Sequence, residues 1–206
     1  MRESREVKAK HRDEIVAAAS KMLRHRGVDR TSLVDPMRAA GLTHGGFYRH
    51  FKSKDELVAE STQNMFAAMI ARFRARSDKE NARAALSAYV EDYLSGRHIK
   101  TPEEGCPVAA YGAEAARESR AVRKAFAEGM AHMLSLAAEG MSCSKEQRYA
   151  RATALQALMT GAVIMARAAG SSKLSQEILT SARQEAERLK LRRDVDRCGA
   201  IQARYA

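Results

Sequence analysis

The sequence predicts an all-α fold, and three observations support this prediction. Apolar residues recur with the period of an α-helix along almost the whole chain. No stretch alternates convincingly between apolar and polar residues as a half-buried strand does, and the 206 residues include only three prolines. With 45% hydrophobic residues, a chain of this length can bury a substantial core, divided over one or two domains.

The N-terminal part of the chain predicts three helices in close succession. The first helix, which stops near Gly27, has an apolar stripe of Ile15, Ala18, Ala19, Met22 and Leu23, and the second is marked by Leu33, Met37 and Ala40. Gly41 is expected to end the second helix in a left-handed conformation. Thr43 is expected to cap the third helix through its hydroxyl. Pro36 predicts a kink in the second helix, because proline lacks the backbone N–H group.

The third helix has an unusual composition for a helix that only packs against a core. Gly45 and Gly46 in its first turn each cost roughly 1 kcal/mol relative to alanine, so the backbone is expected to approach another molecule closely. Phe47 and Phe51 are four residues apart and share one face, which leaves polar side chains for the other faces. This pattern is typical of the second helix of a helix-turn-helix, which presents its N-terminal residues to DNA base edges.

Two groups of side chains are therefore expected to contact duplex DNA. Hydroxyl and basic groups beside the third helix are expected at phosphates, and these are Thr31, Ser32, Tyr48, His50 and Lys54. The residues expected at base edges are Thr43, His44, Gly45 and Arg49, with Gly46 close to the groove.

Residues 41–57 carry a resemblance to a known family. Their run Gly-Leu-Thr-x-Gly-x-Phe-Tyr-x-His-Phe-x-x-Lys-x-x-Leu resembles the DNA-binding signature of TetR/AcrR-type transcriptional regulators, and the resemblance extends over about residues 12–57. It implies that Thr43, His44, Gly45 and Arg49 face the groove, while Tyr48, His50 and Lys54 clamp the DNA backbone. It also implies a homodimeric repressor that binds a double-stranded DNA operator and is released by a small-molecule inducer, here unknown.

The resemblance and the periodicity together predict three segments. Residues 1–52 are expected to form the helix-turn-helix DNA-binding domain, and residues 53–190 a helical bundle for regulation and dimerisation. Residues 191–206 lose the apolar period and are expected to form a disordered tail. Within the bundle the predicted helices are 54–76, one around 86–94, 108–117, 119–139, 145–169 and 174–190, with a loop at 95–107.

Two apolar faces near the end of the bundle are candidates for the dimer interface that the family builds from its last two helices. They consist of Leu155, Leu158, Met159, Ala162, Val163 and Ala166, and of Ile178, Leu179, Ala182, Ala186 and Leu189. The same stripes could instead be core within one chain.

An inducer pocket in the bundle is the second expectation from the family. Methionine adapts to irregular ligands and tyrosine offers a polar tip, so the candidate lining residues are Met65, Phe66, Met69, Tyr89, Tyr93, Cys106, Tyr111, Phe126, Met130 and Met133. Plain core packing is the alternative for each of them.

Cys106 offers a different kind of sensor. In Glu-Gly-Cys-Pro-Val it sits at the expected start of a helix, where the positive end of the helix dipole favours the thiolate. The Gly-Cys helix start resembles one found in some TetR-type regulators that respond to electrophiles or oxidants. Glu103 and Glu104 oppose thiolate formation, and an inert buried cysteine is the alternative.

Composition and motifs argue against other classes of function. The net charge of +11 and the isoelectric point near 9.9 favour a polyanionic partner, nucleic acid first. The six histidines form no metal-ligand spacing, and the chain has no nucleophile elbow and no phosphate-binding glycine loop. Neither an enzyme nor a cofactor or metal site is therefore expected. Without a membrane-length apolar stretch or a signal core, the protein is expected to be cytoplasmic and to have no membrane partner.

Overall fold

A computed structural model of the protein describes residues 5–191 and confirms the all-α prediction. Within these residues there are ten α-helices, two 3-10 turns and no strand. The helices are α1 Arg5–Arg26, α2 Val34–Ala39, α3 Phe47–His50, α4 Lys54–Lys79, α5 Ala82–Tyr93, α6 Gly96–Lys100, α7 Pro107–Ala115, α8 Arg120–Glu139, α9 Lys145–Ala168 and α10 Lys173–Leu191. The 3-10 turns are His44–Gly46 and Pro102–Glu104.

The described chain divides into two compact units, each built from two stretches of sequence. The first unit comprises residues up to 69 and residues 100–131, and the second comprises residues 70–99 and those from 132 onward. The predicted domain boundary after residue 52 stays a prediction. The predicted tail, apart from Leu191 at the end of α10, lies outside the described residues.

The first unit contains a small core that holds α1, α2 and α3 together. Phe47 and Phe51 are both buried and stack with their ring centroids 5.6 Å apart, so they share one face as the four-residue spacing predicts. The remaining buried members of this core are Ile15, Val16, Ala19, Met37 and Leu57. The short third helix therefore packs against the apolar stripe of α1.

Glycines end α1 and α2 in left-handed conformations. Gly27 has φ +81° and Gly41 has φ +72°, and the latter confirms the predicted helix stop. After Gly41 the chain turns back, and the N–H of Leu42 donates to the carbonyl of Met37 at 2.9 Å. Pro36 lies in the first turn of α2, where N–H groups have no partner within the helix, so its missing N–H removes no hydrogen bond from α2. The kink expected at Pro36 stays a prediction.

The loop predicted at residues 95–107 is partly helical. α6 begins there because Ser95 Oγ accepts a hydrogen bond from the N–H of His98 at 3.2 Å. Pro102 then occupies the first position of the second 3-10 turn, where its missing N–H costs nothing. Gly96 and Pro102, which indicated a loop in the sequence, instead lie at the starts of short helical segments.

The second unit is built mainly from α5, α9 and α10 and the adjoining ends of α4 and α8. α9 and α10 pack against each other, and both also contact α5. Gly140, just after α8, allows a close approach to α5, because a Cβ there would crowd Leu86 and the carbonyl oxygen of Ala82.

Gly27 and Gly41 allow a matched test of the turn after α1. We expect Gly41→Ala to lower the free energy of unfolding by about 1–2 kcal/mol, the cost of a left-handed residue with a side chain. Gly27→Ala should lower the free energy of unfolding by roughly 1 kcal/mol more than Gly41→Ala does. The Glu114 carboxylate accepts a hydrogen bond from the N–H of Val28 at 2.7 Å, and the new methyl group at residue 27 would displace that carboxylate. Urea unfolding measures both. Equal costs for the two substitutions would contradict a role for Glu114, and in a Glu114→Ala background we expect the difference to vanish.

Candidate DNA-binding surface

The outer side of the third helix exposes most of the residues predicted to read bases. Thr43, His44, Gly45 and Arg49 are exposed, and Tyr48 is 73% exposed. Thr43 takes the expected extended conformation before the helical segment, but its hydroxyl forms no capping hydrogen bond. The segment begins as the 3-10 turn His44–Gly46 and becomes α-helical only at Phe47. The surface therefore consists of one 3-10 turn and one α-helical turn.

The paired glycines are not explained by packing within the chain. A Cβ at Gly45 would meet no atom within 4 Å, and one at Gly46 would lie 3.6 Å from Met37 Cε, an ordinary contact. Neither glycine has a positive φ. The space beside Gly45 is empty within the chain, and the predicted approach of another molecule to this backbone stays a prediction.

The residues predicted to contact phosphates fall into two groups. Ser32 and Tyr48 are exposed, and Ser32 Oγ also accepts a hydrogen bond from the N–H of Asp35 at 3.3 Å. Thr31 and His50 are buried, and the Thr31 hydroxyl donates to the carbonyl of Gly27 at 2.6 Å. Lys54 is half-buried, and its Nζ donates to the carbonyl of Val28 at 2.9 Å. Backbone carbonyls of the turn after α1 hold Thr31 and Lys54 inward, and the core encloses His50. The phosphate contacts of these three residues stay predictions.

The charge beside this surface is largely positive. Arg38, Arg49 and Lys52 are exposed. Asp35, the acidic residue of α2, forms an ion pair with Arg26, whose hydrogen bond holds the pKa of that carboxyl below its usual value. The pairing offsets the negative charge of α2 next to the predicted phosphate contacts.

The candidate pocket residues are mostly packed into the two units. Met65, Phe66, Met69, Cys106, Tyr111 and Phe126 are buried in the first unit, where Met130 is half-buried. The ring of Phe126 lies edge-to-face against Phe66 and Tyr111, with centroid distances of 5.4 and 5.7 Å. Gly129 makes room for this cluster, because a Cβ there would overlap Phe66.

A buried hydrogen bond joins α7 to α4 beside these rings. The oxygen atoms of Tyr111 and Thr62 are 2.6 Å apart, and Thr62 also donates to the carbonyl of Val58. A hydroxyl has one proton to donate, so Tyr111 is the donor to Thr62. Burial raises the pKa of Tyr111 to about 12, which keeps the phenol neutral and able to donate.

The other candidate pocket residues lie in the second unit, where Met133 and Tyr93 are buried and Tyr89 is half-buried. The two tyrosines have polar partners that were not among the residues predicted from the sequence. Gln156 accepts from the Tyr89 hydroxyl at 2.9 Å and donates to the Tyr93 oxygen at 3.1 Å. Its amide also donates to Thr160 at 3.0 Å. Gln156 and Thr160 are one turn apart on α9 and therefore share a face. That spacing alone does not show that the face is opposite Tyr89 and Tyr93.

The predicted dimer faces lie largely inside the chain. Eight of the residues are buried within the second unit, namely Leu155, Met159, Ala162, Val163, Ala166, Leu179, Ala182 and Ala186. Leu158, Ile178 and Leu189 are half-buried. Large apolar side chains elsewhere on the same helices remain exposed, including Ile164 (49%), Met165 (57%) and Leu174 (57%).

Cys106 occupies the N-cap position of α7 and is buried. The preceding residue, Gly105, accepts a hydrogen bond at its carbonyl from Nη1 of Arg24 on α1, at 3.3 Å. Nearby, Glu103 lies 3.7 Å from the ring of His25, also on α1. The start of α7 is thus attached to α1, the helix that supports the candidate DNA-binding surface.

Within residues 5–191, no group of three or more His, Cys, Asp or Glu side chains is placed to hold a metal ion. None of the helices described has the length and apolar character needed to cross a bilayer.

Comparison with known proteins places both parts of the chain in one family. Residues 15–61 match the model of bacterial regulatory proteins of the tetR family. Residues 82–180 match the C-terminal domain of LmrA/YxaF-like transcriptional regulators. The first match contains every residue of the predicted DNA-binding surface.

Individual relatives agree with these matches. The transcriptional repressor KstR2 of Mycolicibacterium smegmatis is 33% identical over 66 residues, which are 32% of each chain. The transcriptional regulator TtgR of Pseudomonas putida is 41% identical over 58 residues, 28% of each chain. The chain thus spans about a third of the length of these curated relatives.

A solved structure extends the likeness in fold to most of the molecule. The reduced form of E. coli NemR superposes with a TM-score of 0.71 at 24% identity, covering 87% of this chain and 96% of that one. The two family matches together cover more than half of the sequence, and the helical architecture agrees with them. The chain belongs to the TetR family of bacterial transcriptional regulators.

Proposed function

We propose that the protein is a homodimeric repressor that binds a two-fold-related DNA operator and leaves it when a small molecule binds the regulatory helices. The observation that carries this proposal is the division of the third helix into a buried side, Phe47 and Phe51, and an exposed polar side around Tyr48 and Arg49. A helix held in this way presents side chains to a groove without losing its own anchor. The name of KstR2 as a repressor favours repression over activation.

Arg49 and the turn before it are the proposed readers of sequence. A guanidinium group can donate two parallel hydrogen bonds to guanine in the major groove. Thr43 and His44 are exposed at the N-terminal end of the same segment, where a recognition helix meets base edges. Tyr48, Ser32 and Lys52 are the exposed candidates for the phosphates.

The proposed dimer contact uses the faces of α9 and α10 that the chain itself leaves uncovered. Since most of the predicted interface residues already pack inside the second unit, a partner would meet Ile164, Met165 and Leu174, with the half-buried Leu158 and Ile178 beside them. Dimerisation would present two recognition helices to half-sites about one DNA turn apart.

The first test is selection of bound duplexes from a random library at moderate ionic strength. Enrichment of a sequence with two-fold symmetry is the expected result, and failure to enrich any sequence would contradict the proposal. The selected duplex also supplies the operator needed for the experiments below.

Arg49 and Lys52 should have separable effects on DNA affinity. We expect Arg49→Ala to reduce discrimination between the selected operator and random duplex by about 1–3 kcal/mol, if Arg49 pairs with guanine. Lys52→Ala should weaken binding to both duplexes alike and lower the slope of log K against log salt by about one, since it removes one phosphate contact. Binding titrations at several salt concentrations measure both effects. Lys54 is a poorer control, because its substitution also removes the hydrogen bond to Val28.

If both substitutions change affinity for operator and random duplex equally, Arg49 does not read bases. The division of this surface into reading and clamping residues would then have to be abandoned.

The dimer contact is tested by placing a charge in it. Met165→Asp should convert the protein to a monomer in sedimentation analysis and lower operator affinity at least tenfold, because burying an unpaired carboxylate costs several kcal/mol. Thr153→Asp, also exposed on α9, is the control. A Met165→Asp protein that remains dimeric would show that the partner binds elsewhere.

A redox- or electrophile-responsive repressor that senses through Cys106 is the second candidate. The observation that favours it is the attachment of the α7 start to α1, through Gly105 and Arg24. A substituent on the buried Cys106 sulfur has to displace the surrounding chain, and α1 is directly bonded to that chain.

Treatment with hydrogen peroxide or N-ethylmaleimide tests this candidate. We expect release of the operator by the unsubstituted protein and not by Cys106→Ser, which keeps Cys143 and Cys198 as internal controls. Mass spectrometry locates the modified residue. Equal release from both proteins would remove Cys106 from the mechanism.

A further inference from the structure

The guanidinium group of Arg12 on α1 lies at the junction between the third helix and α4. Its Nη1 donates to the carbonyl of His50, the last residue of α3. Its Nε donates to Glu60 at 3.0 Å, and its Nη2 donates to Glu56 at 2.9 Å and also to Glu60. One side chain thereby connects the end of α3 with the first two turns of α4.

The same guanidinium group also lies over an aromatic ring of the core. Its Cζ is 4.2 Å from the ring centroid of Phe51. Phe51 is the extended residue that separates the two helices, with φ −132° and ψ 142°. Arg12 therefore touches all three parts of the junction: the helix that ends, the residue where the chain turns, and the helix that begins.

The junction requires such a connection because α3 has only four residues. A helix of that length is not stable by itself, and its last carbonyl groups have no partners within the helix. The apolar contacts of Phe47 fix which face of α3 is buried, whereas they leave its tilt less defined. A directional hydrogen bond to the terminal carbonyl restrains that tilt.

Arginine suits this position better than lysine does. Its planar fork of five N–H donors can bond a carbonyl and two carboxylates at once, and its flat face stacks on a ring. The hydrogen bond that Arg12 donates to Glu60 raises the pKa of Arg12 above its already high value. Glu56 is itself held by the N–H of Lys52, which with Arg12 keeps the pKa of that carboxyl low. Arg12 and Glu56 are thus both charged near neutral pH.

We propose that Arg12 is a positioning residue for base reading, which sets the tilt of the third helix against α4 without touching DNA. This inference rests on the proposed function of the third helix. Arg12 precedes residues 15–61, the segment matched by the family model, so the role is assigned from the contacts of this chain alone.

Arg12→Met and Arg12→Lys test the inference, with Lys10→Met as the matched control. Lys10 lies on the same helix with the same charge, and its side chain is 76% exposed. For Arg12→Met we expect the ratio of operator to random-duplex affinity to fall about tenfold, the size of one charge-assisted hydrogen bond. Arg12→Lys keeps the charge but loses the planar array of N–H donors. Its ratio of operator to random-duplex affinity should therefore stay well below that of the unsubstituted protein. Lys10→Met should leave the ratio unchanged.

Hydrogen exchange of the protein without DNA provides the second measurement. Arg12→Met and Arg12→Lys should speed exchange in residues 47–51 and leave α2 unaffected. The inference is overturned if Arg12→Met lowers only thermal stability and keeps the affinity ratio, or if Arg12→Lys restores both the ratio and the exchange rates. If the unsubstituted protein prefers no duplex, the proposed function fails, and the exchange rates alone decide whether Arg12 holds the third helix.

Discussion

The anchoring of Phe47 and Phe51 is the constraint on which the proposed reading surface depends. A helix of four residues cannot maintain its own geometry, so its position is imposed by the neighbouring helices, through packing and through the hydrogen bond that Arg12 donates to His50. Burial of each phenylalanine contributes about 1.5–3 kcal/mol, and both rings are enclosed by side chains of α1, α2 and α4. The orientation of the polar face is therefore a property of those three helices. Any change in how α4 meets α1 reaches the reading surface directly.

Val28 is a second point where separate elements meet. Its N–H donates to Glu114 of α7, and its carbonyl accepts from Lys54 at the start of α4. One residue in the turn after α1 is thus bonded by side chains from two other helices. This arrangement explains why Lys54 is turned toward the protein. It also connects the turn to α7, because a displacement of the Glu114 carboxylate would remove the acceptor of the Val28 N–H.

The sequence predicted the helices and the anchored face well, because both depend on local spacing. Gly41 and the pair Phe47 and Phe51 needed only the rules for helix ends and helix faces. The inward orientation of Lys54 and Thr31 could not be predicted, since each donates to a backbone carbonyl. Every residue has a backbone carbonyl, so the amino-acid type of the acceptor gives no indication of the bond. The partners of Arg12 were equally hidden, because Glu56 and Glu60 follow it by more than forty positions. An apolar stripe such as that of Leu155 and Met159 indicates burial without showing whether the covering helix belongs to the same chain.

The hydrogen bond between Tyr111 and Thr62 limits what kind of ligand could separate α7 from α4. Thr62 uses its own proton for the carbonyl of Val58, so Tyr111 is the donor. A wholly apolar ligand inserted here would leave the Tyr111 proton buried without an acceptor, at a cost of about 1–3 kcal/mol. A ligand with a hydrogen-bond acceptor beside its apolar body would avoid that cost while contacting Phe66 and Phe126. Between two ligands of equal apolar area, the one that carries an acceptor at this position should therefore bind more tightly and shift the helices further.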